Sequence, residues 1–310
     1  MRRQLAALLA GAMGAWAQRS LPPTDAAWAP KPAKPPAYTA PHRPHVKLAE
    51  VRARHAGPPT RWREPVVDDA YLRSAYVQSV PGDKVGPRFH PETRIWWVVL
   101  DGELRFTIEG VEPFVARKGS MVQAPLQTVY SIETVGNRPA LRFETEVAGA
   151  RTLYPRELQT AAARRPPPLA GFDWVPVKLG RRQGLWGEGN RPHVSFEEMM
   201  SSAKPDERGL AVQQFVKDDR GASNFISGSE KNLAPLNLKD QGHFHPECPE
   251  YWLIMAGQMR YAIEGQGVII ASEGDVVYVP PFTYHAPRFH GPAPGVRLSM
   301  NGYPYISHLY

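Results

Sequence analysis

The 310-residue sequence predicts an all-β protein made of two β-barrels in tandem. Residues 88–125 align without gaps with residues 243–280, and 14 of these 38 positions are identical. Within each copy, short segments of alternating apolar and polar residues are separated by Gly and Pro, which is typical of strands joined by turns. A repeat of this length indicates that one barrel domain has been duplicated.

The alternation predicts which side chains lie inside each barrel. Every second residue of a strand faces the same side of its sheet. We therefore expect the apolar members of the two clearest alternating segments to face the barrel interiors: Leu104, Phe106 and Ile108 in the first copy, and Met259, Tyr261 and Ile263 in the second.

The first residues have the features of a secretory signal. Arg2 and Arg3 precede an apolar stretch that runs to Ala17 and is too short to span a bilayer. Ala15 and Ala17 are the small residues that favour cleavage after position 17. We expect residues 1–17 to be removed and the protein to be periplasmic or secreted.

The rest of the chain divides into four segments. Residues 18–44 are rich in proline, which favours an extended linker. Residues 45–150 hold the first barrel and residues 151–192 connect it to the second. The second barrel occupies residues 193–310, and each barrel is preceded by a similar short amphipathic segment.

Composition argues against two classes of partner. The net charge of +7 is not concentrated in a basic run, so we expect no nucleic-acid binding. After removal of the signal, no further segment is long and apolar enough for a membrane helix, so we expect no membrane attachment. Cys248 is the single cysteine, which excludes a disulfide within the chain.

Four side chains of the second copy are candidate metal ligands. His243 and His245 are two residues apart, so on a strand they point to one face. Glu250 follows after a corner, and His285 returns from a distant strand. Three imidazoles and one carboxylate suit a divalent transition metal such as iron, manganese, copper, nickel or zinc. We expect one such ion per chain.

The spacing of these ligands resembles the two motifs of the cupin family. The first motif, G-x5-H-x-H-x3-4-E-x6-G, lacks its leading Gly here, and the second, G-x5-P-x-G-x2-H-x3-N, lacks its second Gly and its Asn. The residues that match are His243, His245, Glu250 and Gly257 in the first motif, and Gly274, Pro280 and His285 in the second. The resemblance implies that each copy is a jelly-roll barrel, also called a double-stranded β-helix.

The first copy has lost most of the ligand set. The residues equivalent to the four candidates are Arg88, His90, Ile95 and Tyr130, so only one imidazole remains. One imidazole does not hold a divalent ion against water, and we interpret this barrel as a degenerate cupin with a structural role. The alternative is that Arg88, His90 and Tyr130 bind an anion.

The ligand set leaves two positions of an octahedral ion open for water, a small-molecule substrate or dioxygen. The resemblance implies a range of activities, because cupins of this pattern include dioxygenases, decarboxylases, isomerases, lyases and binding proteins. Bicupin decarboxylases carry ligands in both barrels, so the single intact site favours a dioxygenase-type oxidoreductase. The alternatives are a non-catalytic binding cupin and a metal-dependent isomerase, lyase or decarboxylase.

Two further residues are candidates for function. Tyr261 replaces Phe106 of the first copy, and a phenol near a metal can donate a proton or orient bound oxygen; the alternative is an ordinary exchange of aromatic residues in a core. Cys248 lies between His245 and Glu250, where it is an extra ligand, a redox-sensitive thiol or a loop residue that points away. The degenerate barrel is also a candidate surface for a homodimer.

Overall fold

The computed structural model describes residues 27–156, 170–180, 186–187, 189–207, 209–303 and 306–310. The predicted signal segment, residues 1–17, lies outside them. Met1–Ala33 and Lys34–Tyr310 form two separate units, and all helices and strands described below belong to the second. No helix among the described residues is long and apolar enough to cross a membrane.

Strands dominate both halves of the compact unit, so the all-β prediction is confirmed. The elements of the first half are β1 (His45–Val46), α1 (Leu48–Arg54), β2 (Trp62–Asp68), β3 (Leu72–Ser79), β4 (Lys84–Arg88), β5 (Ile95–Asp101), β6 (Glu103–Ile108), β7 (Phe114–Ala116), β8 (Met121–Ala124), β9 (Tyr130–Val135) and β10 (Ala140–Val147).

The second half repeats this order. Its elements are β11 (His193–Val194), α2 (Phe196–Ser202), β12 (Ala211–Asp218), β13 (Gly221–Gly228), a 3₁₀ turn (Glu230–Asn232), β14 (Glu250–Ala256), β15 (Gln258–Ile263), β16 (Gly267–Ser272), β17 (Val276–Val279), β18 (His285–His290) and β19 (Gly295–Asn301). Strand β5 and strand β14 begin at aligned positions of the sequence repeat, as do β9 and β18, so the predicted duplication is confirmed.

Each barrel consists of two antiparallel sheets. In the first barrel the sheets have the order β11-β8-β5-β10-β3-β2 and β4-β9-β6-β7. In the second barrel the orders are β1-β17-β14-β19-β13-β12 and β16-β15-β18. The six-stranded sheets therefore correspond strand for strand.

The short segment that precedes each barrel pairs with the sheet of the other barrel. Val46 of β1 lies opposite Val276 of β17, and Val194 of β11 lies opposite Met121 of β8. Sequence analysis assigned β1 and β11 to the barrels that follow them in the chain, but their hydrogen bonds are made to the opposite barrel. This reciprocal exchange ties the two barrels together by backbone hydrogen bonds.

The exchange also supplies a helix cap. The backbone N–H of Leu48, at the start of α1, donates to Oδ1 of Asp275 in the second barrel at 3.0 Å. His45 Nε2 lies 2.8 Å from the other oxygen of the same carboxylate. By contrast, α2 is capped locally, because Ser195 Oγ accepts from the N–H of Glu198 at 3.0 Å.

The central strands of each six-stranded sheet are buried on both faces. On β14, Tyr251, Leu253 and Met255 contribute to a core shared by the two barrels, whereas Trp252 and Ile254 face the interior of their own barrel. A sheet covered on both sides needs apolar residues at every position. This explains why residues 251–255 form a continuous apolar run rather than an alternating one. The three apolar residues of each alternating strand, β6 and β15, point inward as expected.

Part of the predicted proline-rich linker is packed rather than loose. Tyr38 donates a hydrogen bond to the carbonyl of Tyr278 at 3.0 Å, and the His42 ring stacks on the Tyr278 ring at 4.4 Å. The N–H of Asp68 donates to His42 Nε2 at 3.0 Å. Residues 38–42 therefore lie against the barrels, which corrects the expectation of an extended, unpacked segment here.

We predict that Asp275→Ala destabilises the whole compact unit. The substitution leaves the backbone N–H groups of Leu48 and Ser272, and the ring of His45, without their acceptor. Loss of several partly buried hydrogen bonds costs about 2–3 kcal/mol. Denaturant unfolding, followed by fluorescence, measures the change.

Ser120→Ala is the matched control, because Ser120 is the equivalent residue of the first barrel. Its hydroxyl accepts only from the N–H of Arg117, at 3.1 Å, so the expected loss is about 1 kcal/mol or less. Equal losses in the two variants would show that the exchanged segment contributes nothing through Asp275.

Candidate metal centre

A backbone bridge brings the first and last candidate ligands together. The N–H of His243 donates to the carbonyl of His285 at 3.1 Å, and the N–H of His285 donates back at 2.9 Å. Gly242 permits this approach: its φ is +77°, and a Cβ at that position would collide with the His285 carbonyl. Residues 42 positions apart in sequence are thus fixed side by side.

All four predicted ligands meet at one point of the second barrel. One ligand atom from each of His243, His245, Glu250 and His285 lies within 4.8 Å of every other. Glu250 Oε2 is 3.0 Å from His245 Nε2 and 3.4 Å from His285 Nε2. His245, Glu250 and His285 are buried and His243 is partly exposed, so the cluster is approached from the side of His243.

Neighbouring groups orient these ligands. His245 Nδ1 donates to the carbonyl of Ser307 at 2.6 Å, and His285 Nδ1 donates to the carbonyl of Thr283 at 2.9 Å. Both rings therefore present Nε2 to the centre. Ser299 Oγ donates to Glu250 Oε1 at 2.6 Å and leaves Oε2 facing the imidazoles. Such partners fix the tautomer and direction of metal ligands.

The residues fit a divalent transition metal. His285 Nε2 is buried, makes no hydrogen bond of normal geometry and is aimed at the centre of the cluster, where Glu250 Oε2 lies 3.4 Å away. A buried ring nitrogen without a partner is costly unless an ion or another group binds it. Three imidazole nitrogens and one carboxylate oxygen are donors that manganese, iron, nickel, copper and zinc accept.

The pKa values of the cluster favour an ionised carboxylate beside a neutral His243, which is the protonation state in which these groups bind a cation. Burial lowers the pKa of His243 to about 3, with a further contribution from His285. Burial opposes charge on Glu250 and His245 as well, but their mutual hydrogen bond outweighs it. The pKa of Glu250 is therefore held well below its usual value, and the pKa of His245 is raised.

Tyr261 lies one layer further into the barrel than the ligands. Its ring is fully buried and contacts Trp252 with a centroid distance of 5.0 Å, and Trp252 in turn contacts His285 at 5.3 Å. Burial raises the pKa of its phenol above the usual value. Tyr261 faces the interior as expected, and its catalytic role stays a prediction.

Sequence analysis missed the segment 306–310. Leu309 forms a two-way backbone bridge with Phe244, and the ring of His308 lies 4.7 Å from that of His243 and 4.6 Å from that of His245. Tyr310 contacts His243 at 5.5 Å. In the first barrel Leu153 bridges Phe89 in the same way, so a longer alignment of the repeat would have revealed this segment.

Cys248 is not among the ligands. It is fully buried, and burial raises the pKa of its thiol to about 12. Among the described residues, the four predicted side chains are the only group of His, Cys, Asp or Glu residues whose possible ligand atoms converge on one point. Because the thiolate is the form that binds metals and reacts, Cys248 behaves as a small core residue.

In the first barrel the retained histidine has other partners. His90 Nε2 lies 3.2 Å from the hydroxyl of Tyr130, and Nδ1 lies 3.0 Å from the carbonyl of Arg151. The ring thus keeps the orientation seen for His245, but a tyrosine hydroxyl stands where the other barrel has a ligand. Ile95 occupies the position of Glu250 and joins the apolar core.

The comparisons with known proteins agree with this geometry. Residues 232–300, which include all four ligands, match the family profile described as Cupin domain. The fold extends this result to both barrels. The second barrel therefore carries the cupin domain, and the two-barrel fold of the chain has the architecture of a bicupin. No curated protein sequence matches it.

The bicupin resembles solved structures over both barrels. Oxalate decarboxylase from Lactobacillus farciminis, solved as a formate complex, is 13% identical, with a TM-score of 0.54 over 90% of this chain and 91% of that one. A mutant of Bacillus subtilis oxalate decarboxylase is 14% identical, with a TM-score of 0.51 over 88% of this chain and 80% of that one. At these identities the likeness establishes the fold.

We predict that His243→Ala, His245→Ala and His285→Ala each remove most of the bound metal. Loss of a residue that merely orients a ligand costs roughly 10- to 100-fold in affinity, and loss of a ligand should cost more. Elemental analysis of the purified protein gives the metal content. His90→Ala is the control in the other barrel and should retain one equivalent; metal loss there would mean that the centre is shared.

Metal affinity should fall as the pH falls through the raised pKa of His245. A bound imidazole must be neutral, so the ion competes with the proton that Glu250 helps to hold. The decline therefore begins above 6.5, the ordinary value for histidine. Titration of metal into the protein at several pH values, with proton release recorded, tests this. A metal affinity that does not change between pH 5 and 8 would contradict this prediction.

Proposed function

We propose that this bicupin is a metal-dependent lyase that removes carbon dioxide from a small carboxylic acid. The observation that carries the proposal is the four-ligand cluster, placed inside one barrel of a fold shared with oxalate decarboxylases. A structural metal site closes its coordination with protein ligands, whereas three histidines and a glutamate leave positions of an octahedral ion for a substrate.

Manganese is the first candidate for the ion. The Bacillus subtilis oxalate decarboxylase, which has a TM-score of 0.50 to this chain, is described with Mn(II) centres. The donor set here, with nitrogen ligands and one hard carboxylate, suits Mn(II) as well as Fe(II). Bound there, the ion would act as a Lewis acid toward a carboxylate oxygen of the substrate.

The protein's own residues have three tasks in such a reaction. Glu250 and the three histidines hold the ion, and Ser299 keeps the carboxylate of Glu250 turned toward it. Trp252 and the apolar residues behind it keep bulk water from the inner side of the cluster, because they are fully buried. The rings of His308 and Tyr310 border the partly exposed side, where a substrate enters.

A dioxygenase is the second candidate. It is favoured by the aromatic layer of Trp252 and Tyr261 next to the ligands, which suits an organic ring, and by the loss of ligands from the first barrel. The comparisons support the lyase more strongly, since the similar structures named above are decarboxylases. The first barrel then serves as a structural partner.

We also propose export of the protein. The support is the sequence of residues 1–17, in which positive charge, an apolar stretch and small residues at a cleavage site follow one another. Sequencing of the N-terminus of the cell-derived protein tests cleavage after Ala17.

A paired assay separates the candidate functions. Protein loaded with Mn(II), Fe(II) or Zn(II) is incubated with oxalate, other small acids, catechols and flavonols while carbon dioxide and oxygen are recorded. We expect carbon dioxide release from a small acid with no net oxygen consumption, lost on chelation and restored by metal. His285→Ala should abolish it, and His90→Ala should not.

Two other results of this assay would indicate a different function. Substrate-dependent oxygen uptake would replace the lyase by the dioxygenase. Tight retention of a small acid without turnover by any metal form would indicate a binding protein. Tyr261→Phe should lower turnover with unchanged metal content if the phenol takes part in the reaction.

A further inference from the structure

A buried arginine lies inside the metal-bearing barrel without a charged partner. Arg297 is only 8% exposed, and on β19 it lies opposite Ile254, so it shares the inward face of the barrel. Its Nε and Nη1 atoms are buried and make no hydrogen bond. Within the described part of the chain, no carboxylate forms an ion pair with it. A guanidinium does not lose its proton, so this charge persists.

The phenol of Tyr261, next to Arg297, also lacks a hydrogen-bond acceptor. Its hydroxyl is fully buried, and Arg297 can only donate to the phenol oxygen, so the O–H of Tyr261 is left without an acceptor. The Arg297 charge acts directly on this phenol, which places the two groups next to each other. The Phe289 ring covers the guanidinium at 5.6 Å and closes the remaining side. Buried donors of this kind nearly always have an acceptor.

The first barrel shows how the same arginine is normally satisfied. Arg142 is the equivalent of Arg297, and its Nε donates to Glu144 at 3.2 Å. Burial opposes charge on Glu144, but Arg142 and Arg63 outweigh it and lower its pKa to about 2. In the metal-bearing barrel the position of Glu144 is Ser299, so the built-in acceptor is missing where the metal is present.

Arg297 lies on the same face of β19 as Ser299, two residues away. Ser299 donates to the ligand Glu250, and Arg297 is two strand residues further in, about 7 Å along the backbone. An arginine side chain spans that distance. The Tyr261 ring contacts Trp252 at 5.0 Å, and Trp252 contacts the ligand His285 at 5.3 Å, so the metal centre and the unpaired donors share one barrel interior.

We propose that Arg297 and Tyr261 form the carboxylate-binding subsite of the metal centre. The ligand is a short acid that offers one oxygen atom to the ion and a carboxylate to the guanidinium and the phenol. Arg297 supplies charge-assisted hydrogen bonds and Tyr261 supplies one more. The choice of a carboxylate rests on the proposed function, whereas the need for an acidic acceptor rests on the unpaired donors alone.

Binding to the manganese-loaded full chain tests the proposal. Calorimetric titration with oxalate and with formate is carried out for the wild type, Arg297→Met, Tyr261→Phe and Arg142→Met. We expect Arg297→Met to weaken oxalate binding by about tenfold to a hundredfold and Tyr261→Phe by less, each with unchanged metal content. Arg142→Met is the matched control and should bind oxalate like the wild type.

Ligand-free stability gives a second readout that an ordinary structural role would not produce. Replacing an unpaired buried charge by an apolar side chain of similar length is neutral or stabilising, whereas breaking a buried pair is destabilising. Arg297→Met should therefore melt at or above the wild-type temperature, and Arg142→Met should melt below it, because Glu144 loses its partner.

Different results would contradict the carboxylate subsite and the proposed decarboxylase activity. Oxalate affinity that is the same in the wild type, Arg297→Met and Tyr261→Phe overturns the subsite, even if the protein decarboxylates oxalate. Binding that depends on Arg297 without any turnover supports the subsite and removes the lyase. If Arg297→Met does not fold, unchanged affinity in Tyr261→Phe overturns the proposal. Oxamide, the uncharged analogue, should bind poorly to every form.

Discussion

The structure depends on strand β14 being buried on both faces. One face contributes Tyr251, Leu253 and Met255 to the core between the barrels, and the other carries Glu250 and Trp252 into the barrel interior. Because neither face meets water, the strand cannot slip by one residue without moving a carboxylate into an apolar core. The contact between barrels therefore fixes the position of a metal ligand.

This constraint gives the degenerate barrel a role without any chemistry of its own. Its six-stranded sheet covers the outer face of the metal-bearing barrel, and Ser74 bonds the hydroxyl of Tyr251 at 2.7 Å. The reciprocal exchange of β1 and β11 adds backbone pairing in both directions. A barrel that has lost its ligands is thus retained by packing, since its removal would expose one face of β14.

Sequence patterns predicted the barrels and all four ligands because both obey short-range rules. Alternation identified the interior faces of β6 and β15, and the spacing from His243 to His285 matched a known motif. The exchange of β1 and β11 was not predictable in this way. Two-residue strands have no periodicity, and their partner is chosen by contacts far away in sequence, such as that between His45 and Asp275.

Two residues of the site were not predicted from the sequence, because their positions also depend on contacts between residues far apart in the chain. His308 lies outside the motif, and its approach to His243 depends on the bridge between Phe244 and Leu309. Arg297 is an ordinary arginine in a strand until burial shows that it has no partner. The reaction type was also beyond the reach of the motif, because the same ligand pattern is shared by oxidoreductases and lyases.

The two barrels differ most in where the carboxylate beside the arginine is placed. In the first barrel Glu144 on β10 neutralises Arg142. Ile95 on β5 occupies the position that the ligand Glu250 has on β14. In the second barrel the glutamate is on β14 and the serine on β19 orients it toward the imidazoles. The acid of the second barrel thus stands on the neighbouring strand, where it completes the ligand set with the three histidines and leaves a guanidinium unpaired. A barrel with these two features requires an anion to complete its charge balance, which is what a small acid on the metal would supply.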